Sequence, residues 1–193
     1  MRHAVLAAAL VSIFVAGCSS PPSRFYTLNA TAAPATDTSR IGVAVGPVLI
    51  PATLDRPQIV VSTGANQVTI DEFNRWASPV QDNIARVTAE NLAALLGTAR
   101  VVLFPQTLNA DVDYRVQIDI RSLESAPGSY AAIDAVWTVR RGRDGKTETG
   151  RTRMRETLTD GSFDALAAAH SRSLARMAQD IAAAIRTLDK QSG

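Results

Sequence analysis

The chain has 193 residues, 46% of them hydrophobic, with 20 lysines and arginines against 18 aspartates and glutamates. That near balance gives no electrostatic footprint for nucleic acid or for a charge-driven membrane surface role. One cysteine, Cys18, and two histidines, His3 and His170, exclude an intrachain disulfide, a Cys/His zinc site and a multi-histidine metal centre.

The N-terminus opens on Met1-Arg2-His3, runs uncharged from Ala4 to Val15 and closes on Ala16-Gly17-Cys18. A positive start, a short apolar run and small residues at the end are the three parts of a secretory signal. The apolar run of about 12 residues is well short of the ~20 that span a bilayer, so a permanent transmembrane helix is not expected. Val15-Ala16-Gly17-Cys18 looks like a lipobox, with cleavage between Gly17 and Cys18 and a thioether-linked lipid on the Cys18 thiol. One acyl chain holds only reversibly, at about 0.8 kcal/mol per buried CH₂; the several chains of a mature lipoprotein anchor it lastingly. Ser19 in place of Asp resembles the enterobacterial pattern that sorts to the outer membrane. Loss of residues 1–17 leaves 176 residues, enough for one domain, with 19 basic against 18 acidic side chains. The mature chain keeps only His170 and no free thiol, so a cysteine nucleophile is excluded and a Ser-His-Asp triad could use only His170. No enzymatic activity is expected, and no cofactor or metal.

Residues 18–39 are expected to form the lipidated N-terminus and a linker of Ser, Pro, Ala and Thr, within which Phe25-Tyr26-Thr27-Leu28 can dock as a short strand. Residues 40–193 are expected to form a single domain. Ile41 to Ile50 reads as the first buried strand. Gln58–Ser62 and Gln67–Ile70, separated by Thr63-Gly64-Ala65-Asn66, read as a hairpin. Ser78-Pro79-Val80-Gln81 predicts a helix start with a capping box, and Gly97 its stop. Val80, Ile84, Val87, Leu92 and Leu95 form the apolar face between them.

Val101–Phe104 predicts a short strand ended by Pro105. Tyr114, Val116, Ile118 and Ile120 alternate with Arg115, Gln117, Asp119 and Arg121, a half-buried strand. Ile133 to Val139 continues the theme, Arg143-Asp144-Gly145-Lys146 marks a turn, and a further strand runs to about Leu158. A last helix starts near Ser162, with Phe163, Leu166, His170, Leu174, Met177, Ile181, Ile185 and Leu188 along one stripe. The order predicts an α+β fold, a mostly antiparallel sheet with two main helices packed on one face.

His170 lies on that stripe and reads as a packing histidine. The arginines at 115, 121, 140, 141, 151, 153 and 155 read as an ordinary solvated face with Asp119, Asp134 and Glu156 nearby, or else as a basic face for an acidic partner or lipid headgroups. Asp55-Arg56-Pro57 reads as a turn, with Asp55 capping it and Arg56 pairing locally. Trp76 reads as a staple against the first helix, with an exposed contact residue as the alternative.

The lipobox with Phe25-Tyr26-Thr27-Leu28, then Leu54-Asp55-Arg56-Pro57-Gln58-Ile59-Val60, Phe73-Asn74-Arg75-Trp76-Ala77 and Ala89-Glu90-Asn91-Leu92-Ala93-Ala94-Leu95-Leu96-Gly97 resemble the ABC-type transport auxiliary lipoproteins of the paraquat-inducible protein C type. The specific part of the likeness is Leu54 to Gly97. The resemblance implies an outer-membrane-anchored periplasmic subunit that accompanies an MCE-domain transport protein carrying lipids or other hydrophobic molecules between the two membranes. It further implies a homo-oligomer, ring-like in form. It points to Asp55, Arg56, Pro57, Gln58, Arg75 and Trp76 as candidate contacts to a partner or sister subunit. An assembly factor or plug for an outer-membrane barrel protein is the alternative role for such a tethered domain.

Overall fold

The computed structural model describes residues 21–105 and 111–191; the cleavage and lipidation positions Gly17 and Cys18 lie outside them. The alternating stretch from Tyr114 becomes the long strand β6 (Tyr114–Ala126), at the centre of a five-stranded sheet. Its companions are β2 (Val43–Leu49), β5 (Val101–Leu103), β7 (Tyr130–Arg141) and β8 (Thr147–Thr157), in the order β5-β2-β6-β7-β8. Tyr114, Val116, Ile118 and Ile120 are buried, and an irregularity between Ile120 and Ser122 then shifts the phase so that Leu123 and Ser125 point inward.

The predicted hairpin forms as β3 (Gln58–Gly64) and β4 (Gln67–Trp76). It pairs with β1 (Arg24–Tyr26) into a second, three-stranded sheet ordered β1-β4-β3. The fold is α+β as expected, but its strands form two mixed sheets. β1 runs parallel to β4, and β2 runs parallel to both β5 and β6. The helix between β2 and β5 accounts for the latter. Parallel neighbours need a crossover connection, and α1 (Val80–Leu96) supplies it, whereas β6, β7 and β8 need only turns.

Both helices, α1 and α2 (Phe163–Lys190), pack against the five-stranded sheet and against each other. Ser162 caps α2, its Oγ accepting from the Ala165 N–H at 3.1 Å. Gly97 ends α1 in the left-handed region at φ 62°. The capping box at the start of α1 does not form: Pro79 occupies the cap position and no side chain accepts a hydrogen bond there. Gln81 instead donates from Nε2 to the Val48 carbonyl at 2.6 Å, tying α1 to the end of β2.

Candidate functional site

The two segments singled out by the family resemblance meet in the three-stranded sheet. Gln58 pairs with Arg75 across β3 and β4, and the Trp76 N–H donates to the Pro57 carbonyl at 2.7 Å. Asp55 and Pro57 are exposed, and Arg56, Gln58 and Arg75 are half-buried. Asp55 closes a short 3-10 turn (Ala52–Leu54) through its backbone N–H, which donates to the Ala52 carbonyl at 3.3 Å. Arg56 forms no local pair through Nε, which is buried without a hydrogen-bond partner.

Trp76 is 5% exposed and belongs to the core, so its indole is not available as a partner contact. The reason is its neighbour: the His170 ring lies edge-on at 6.5 Å, and that ring is itself fully buried on α2. His170 Nε2 sits 2.9 Å from the Ser125 hydroxyl, while Nδ1 is buried with no hydrogen-bond partner. Burial pushes the His170 imidazole down from its ordinary 6.5 to about 4, so it is neutral at neutral pH. Ser125 was not legible as its partner, because the phase shift after Ile120 is what turns that hydroxyl inward. A serine and histidine in contact suggest a nucleophile and its base. Here both are sealed, at 3% and 0% exposure, and no carboxylate orients the imidazole from Nδ1.

Residues missed by the sequence reading hold the N-terminal segment. Instead of spanning free space as a linker, residues 28–39 are strapped along the helices. Arg86 on α1 donates from Nη2 to the Leu28 carbonyl at 2.6 Å, and the Asn29 N–H donates to Ser171 Oγ on α2 at 3.1 Å. Buried Asn91 Oδ1 accepts from the N–H groups of Thr31 and Ala32 at 3.0 and 2.9 Å. The Ala35 and Ser39 N–H groups donate to the Ala94 and Gly97 carbonyls, each at 2.8 Å. The strap passes so close over Gly97 that an added Cβ would lie 2.0 Å from the Asp37 carbonyl oxygen. Arg86, Asn91 and Gly97 thus share one task, and nothing local marks the first two, because the helix also carries Gln81, Asp82, Asn83, Thr88 and Glu90.

The arginine-bearing face of the large sheet is mostly paired. Arg121 lies 3.1 Å from Asp119, Arg153 lies 3.3 Å from Asp134, and Arg151 forms a close ion pair with Asp134. Those contacts, led by the Arg151 hydrogen bond, hold the Asp134 carboxyl below its usual range. The Arg155 guanidinium stacks 3.4 Å over the Tyr130 ring. Arg141 is not on this face at all. It is 3% exposed, binds Asp144 through two nitrogens and donates to the Leu188 carbonyl, clamping the end of α2 to the β7–β8 turn. The solvated-face reading is the one the geometry supports.

A polar cavity of about 870 Å³ opens beside that clamp, lined among others by Arg40, Arg100, Asp113 and Tyr114. The Tyr114 hydroxyl donates to Asp189 Oδ1 at 3.0 Å, and burial pushes its pKa up to about 12, so it does not ionise near neutrality. Among the described residues no group of three or more His, Cys, Asp or Glu is placed to hold a metal ion, and no helix is long and apolar enough to cross a membrane.

Among the described residues six large hydrophobic side chains are exposed, and four of them, Phe25, Val68, Ile70 and Phe73, belong to β1 and β4. The small sheet, not the polar cavity, therefore carries the most unusual surface of the molecule.

The fold has close counterparts in solved structures. A Xanthomonas campestris protein of the DUF330 family superimposes with TM-score 0.71 at 16% identity, over 88% of this chain and 100% of that one. An uncharacterised protein superimposes with TM-score 0.70 at 19% identity, over 86% of this chain and 99% of that one. No curated protein matches the sequence. Residues 26–182, from the docked strand β1 to the last turns of α2, match a single family description, and this chain belongs to the ABC-type transport auxiliary lipoprotein components.

Proposed function

We propose that the chain is a non-enzymatic subunit, anchored through a lipid on Cys18 to the periplasmic face of the outer membrane, of an MCE-type system that moves lipids or other hydrophobic molecules between the two membranes. Membership of the auxiliary lipoprotein family carries this reading. Three features support it. Val15-Ala16-Gly17-Cys18 resembles a lipobox. Strap and docked strand leave only seven peptide steps between Cys18 and Phe25, roughly 23 Å when extended. The Ser125–His170 contact is sealed from substrate. A subunit that receives a transporter at a membrane needs proximity and a rigid face, and a short tether on a strapped domain provides both. The working form is a homo-oligomer, ring-like in arrangement, in which the exposed Asp55–Pro57 turn and its neighbour Arg75 contribute to an interface.

The test is crosslinking in intact envelopes followed by detergent solubilisation and pull-down. Recovery of an MCE-domain protein is the expected result. A lipidated chain that recovers no such protein, and whose depletion lowers one outer-membrane barrel protein while lipid traffic is unchanged, would replace this reading with a role in barrel assembly.

A further inference from the structure

Among the described residues no helix or strand packs over the apolar side chains on the outer face of the three-stranded sheet, although Val68 borders a cleft shared with Tyr130 and Arg155. Its side-chain directions follow from register. Trp76 is buried and Tyr26, beside it in β1, stacks on Phe163 of α2 at 5.8 Å, so both point to the core. Their neighbours Phe25 and Arg75, paired with each other, point away. On β3, Ile59 and Val61 pack inward, which turns Gln58, Val60 and Ser62 outward. The cross-strand pairs Val60–Ile70 and Ser62–Val68 put Ile70 and Val68 on the same outer face. Phe25 is 63% exposed, Val68 57% and Ile70 39%. Between Ile70 and Arg75 the strand makes an excursion opposite β3, closed by Asp71 Oδ1, which accepts from the Phe73 and Asn74 N–H groups at 2.9 and 2.7 Å. Phe73 is displayed on that excursion, 40% exposed.

From this placement we infer that the outer face of the three-stranded sheet rests on the bilayer that holds the protein's own lipid, with Phe25, Val68, Ile70 and Phe73 at the headgroup–acyl boundary. The inference rests on the proposed lipidation of Cys18. What selects the bilayer as occupant is the chain outside the described structure. It leaves from β1, the edge strand of this sheet, and Cys18 is seven steps from Phe25. An acyl group at Cys18 keeps the Phe25 ring within roughly 23 Å of its own insertion point. A patch this small would not recruit the domain from solution. Once the domain is tethered, contact is intramolecular and only a modest favourable free energy is needed to hold it. The charged groups beside the patch are of both signs, Arg75 paired with Phe25 and Glu72 exposed on the excursion, so apolar contact and not headgroup charge sets the interaction.

The experiment uses the full lipidated chain reconstituted into phosphatidylethanolamine–phosphatidylglycerol vesicles. Cys18 is consumed by its lipid, so V68C and K146C each offer one thiol for an environment-sensitive fluorophore; Lys146 lies in the exposed β7–β8 turn. Palmitate labelling and vesicle flotation are read first. With the lipid present, the expected result is a blue-shifted label at position 68 that lipids brominated near the headgroup quench about twofold or more, with little quenching at position 146. F25S in the V68C background should reduce that quenching while flotation persists. A chain that carries lipid and floats, yet shows equal quenching at both positions, overturns the inference alone. A label at 68 that is blue-shifted but unquenched, with crosslinks to a second copy or to another protein, also overturns it by giving the face a different occupant. A chain that incorporates no palmitate and does not float removes the anchor, and the proposed function falls with the inference.

Discussion

The two sheets of this molecule solve the same problem in opposite ways. The five-stranded sheet buries one face under both helices and clothes the other in paired charges, such as Arg151 and Arg153 on Asp134. The three-stranded sheet buries Ile59 and Trp76 on its inner face but leaves Phe25, Val68 and Ile70 uncovered on the other. Apolar area facing water forgoes about 25 cal/mol per Å² that burial would supply. A domain with a well-covered main sheet could equally have covered the small one. The difference teaches that the large sheet is built for stability, while the small one keeps a surface in reserve for something outside the fold.

Breaking the large sheet's support should have the greatest effect. Leu174 on α2 is fully buried within the core. Leu174→Ala should lower unfolding free energy by about 3 kcal/mol through lost burial and a residual cavity, measured by chemical denaturation of the purified protein. The buried imidazole adds a pH-dependent contribution of similar order. The folded pKa of His170 is about 4, below its ordinary 6.5, so the unfolded chain binds a proton in this window that the folded chain refuses. The associated stability is present above pH 6.5 and is lost as pH falls toward 4, amounting to about 3 kcal/mol by linkage. Asp134 and Asp144, whose folded values are depressed by Arg151 and Arg141, add losses only at lower pH, as their carboxylates take up protons. His170→Gln should flatten the pH dependence between 6.5 and 4 in thermal melts, and leave the steeper acid limb below it.

How much of this was legible in the sequence depends on whether the cause was local. The β6–β7–β8 meander, the α2 stripe with its start near Ser162, and the Gly97 stop are readable, because period-two and period-3.6 patterns and helix-stop chemistry act within a few residues. The α1 cap was misread, since Gln81 finds the Val48 carbonyl, a group 33 positions away. The division into two mixed sheets was not visible, because strand partnership between Arg24–Tyr26 and Asn74–Trp76 is long-range. Trp76 shows the same limit at the site. A tryptophan between a hairpin and a helix fits an anchor or a core residue equally well by pattern, and only the His170 ring beside it decides. The strap after Leu28 reads as linker in the sequence because its fastening is backbone to distant side chain, with Asn91 as its centre.

That strap joins the two regions, and loosening it sharpens the contrast between them. Asn91→Ala removes one acceptor shared by two N–H groups and should cost roughly 1–3 kcal/mol. The loss should be concentrated locally. Hydrogen exchange of Thr31 and Ala32 should quicken well beyond that of β6 and β7, because the helices keep their own contacts with the large sheet. Gly97→Ala should act on the same segment by collision, since its Cβ would meet the Asp37 carbonyl. Equal loss of protection in β6 would mean that strap and large sheet open as one unit.

The smallest expected effect is on the exposed face itself. Val68→Ser replaces an apolar side chain that is 57% exposed, so little burial is forfeited on folding. Its cross-strand partner is Ser62, whose hydroxyl can sit beside another. The change in unfolding free energy should stay within about 0.5 kcal/mol, as for surface positions generally, read from the denaturation midpoint at unchanged slope. Ile59→Ala, on the inner face of the same sheet, should cost about 2 kcal/mol or more, because that side chain is 1% exposed. A large loss from Val68→Ser would mean that the outer face already contributes to the fold, most simply through self-association, and the measured dependence of stability on protein concentration would reveal it. A near-silent Val68→Ser beside a costly Ile59→Ala leaves the outer valine, isoleucine and phenylalanines without a folding role, and the reason for their apolar character would then have to lie in what the face touches.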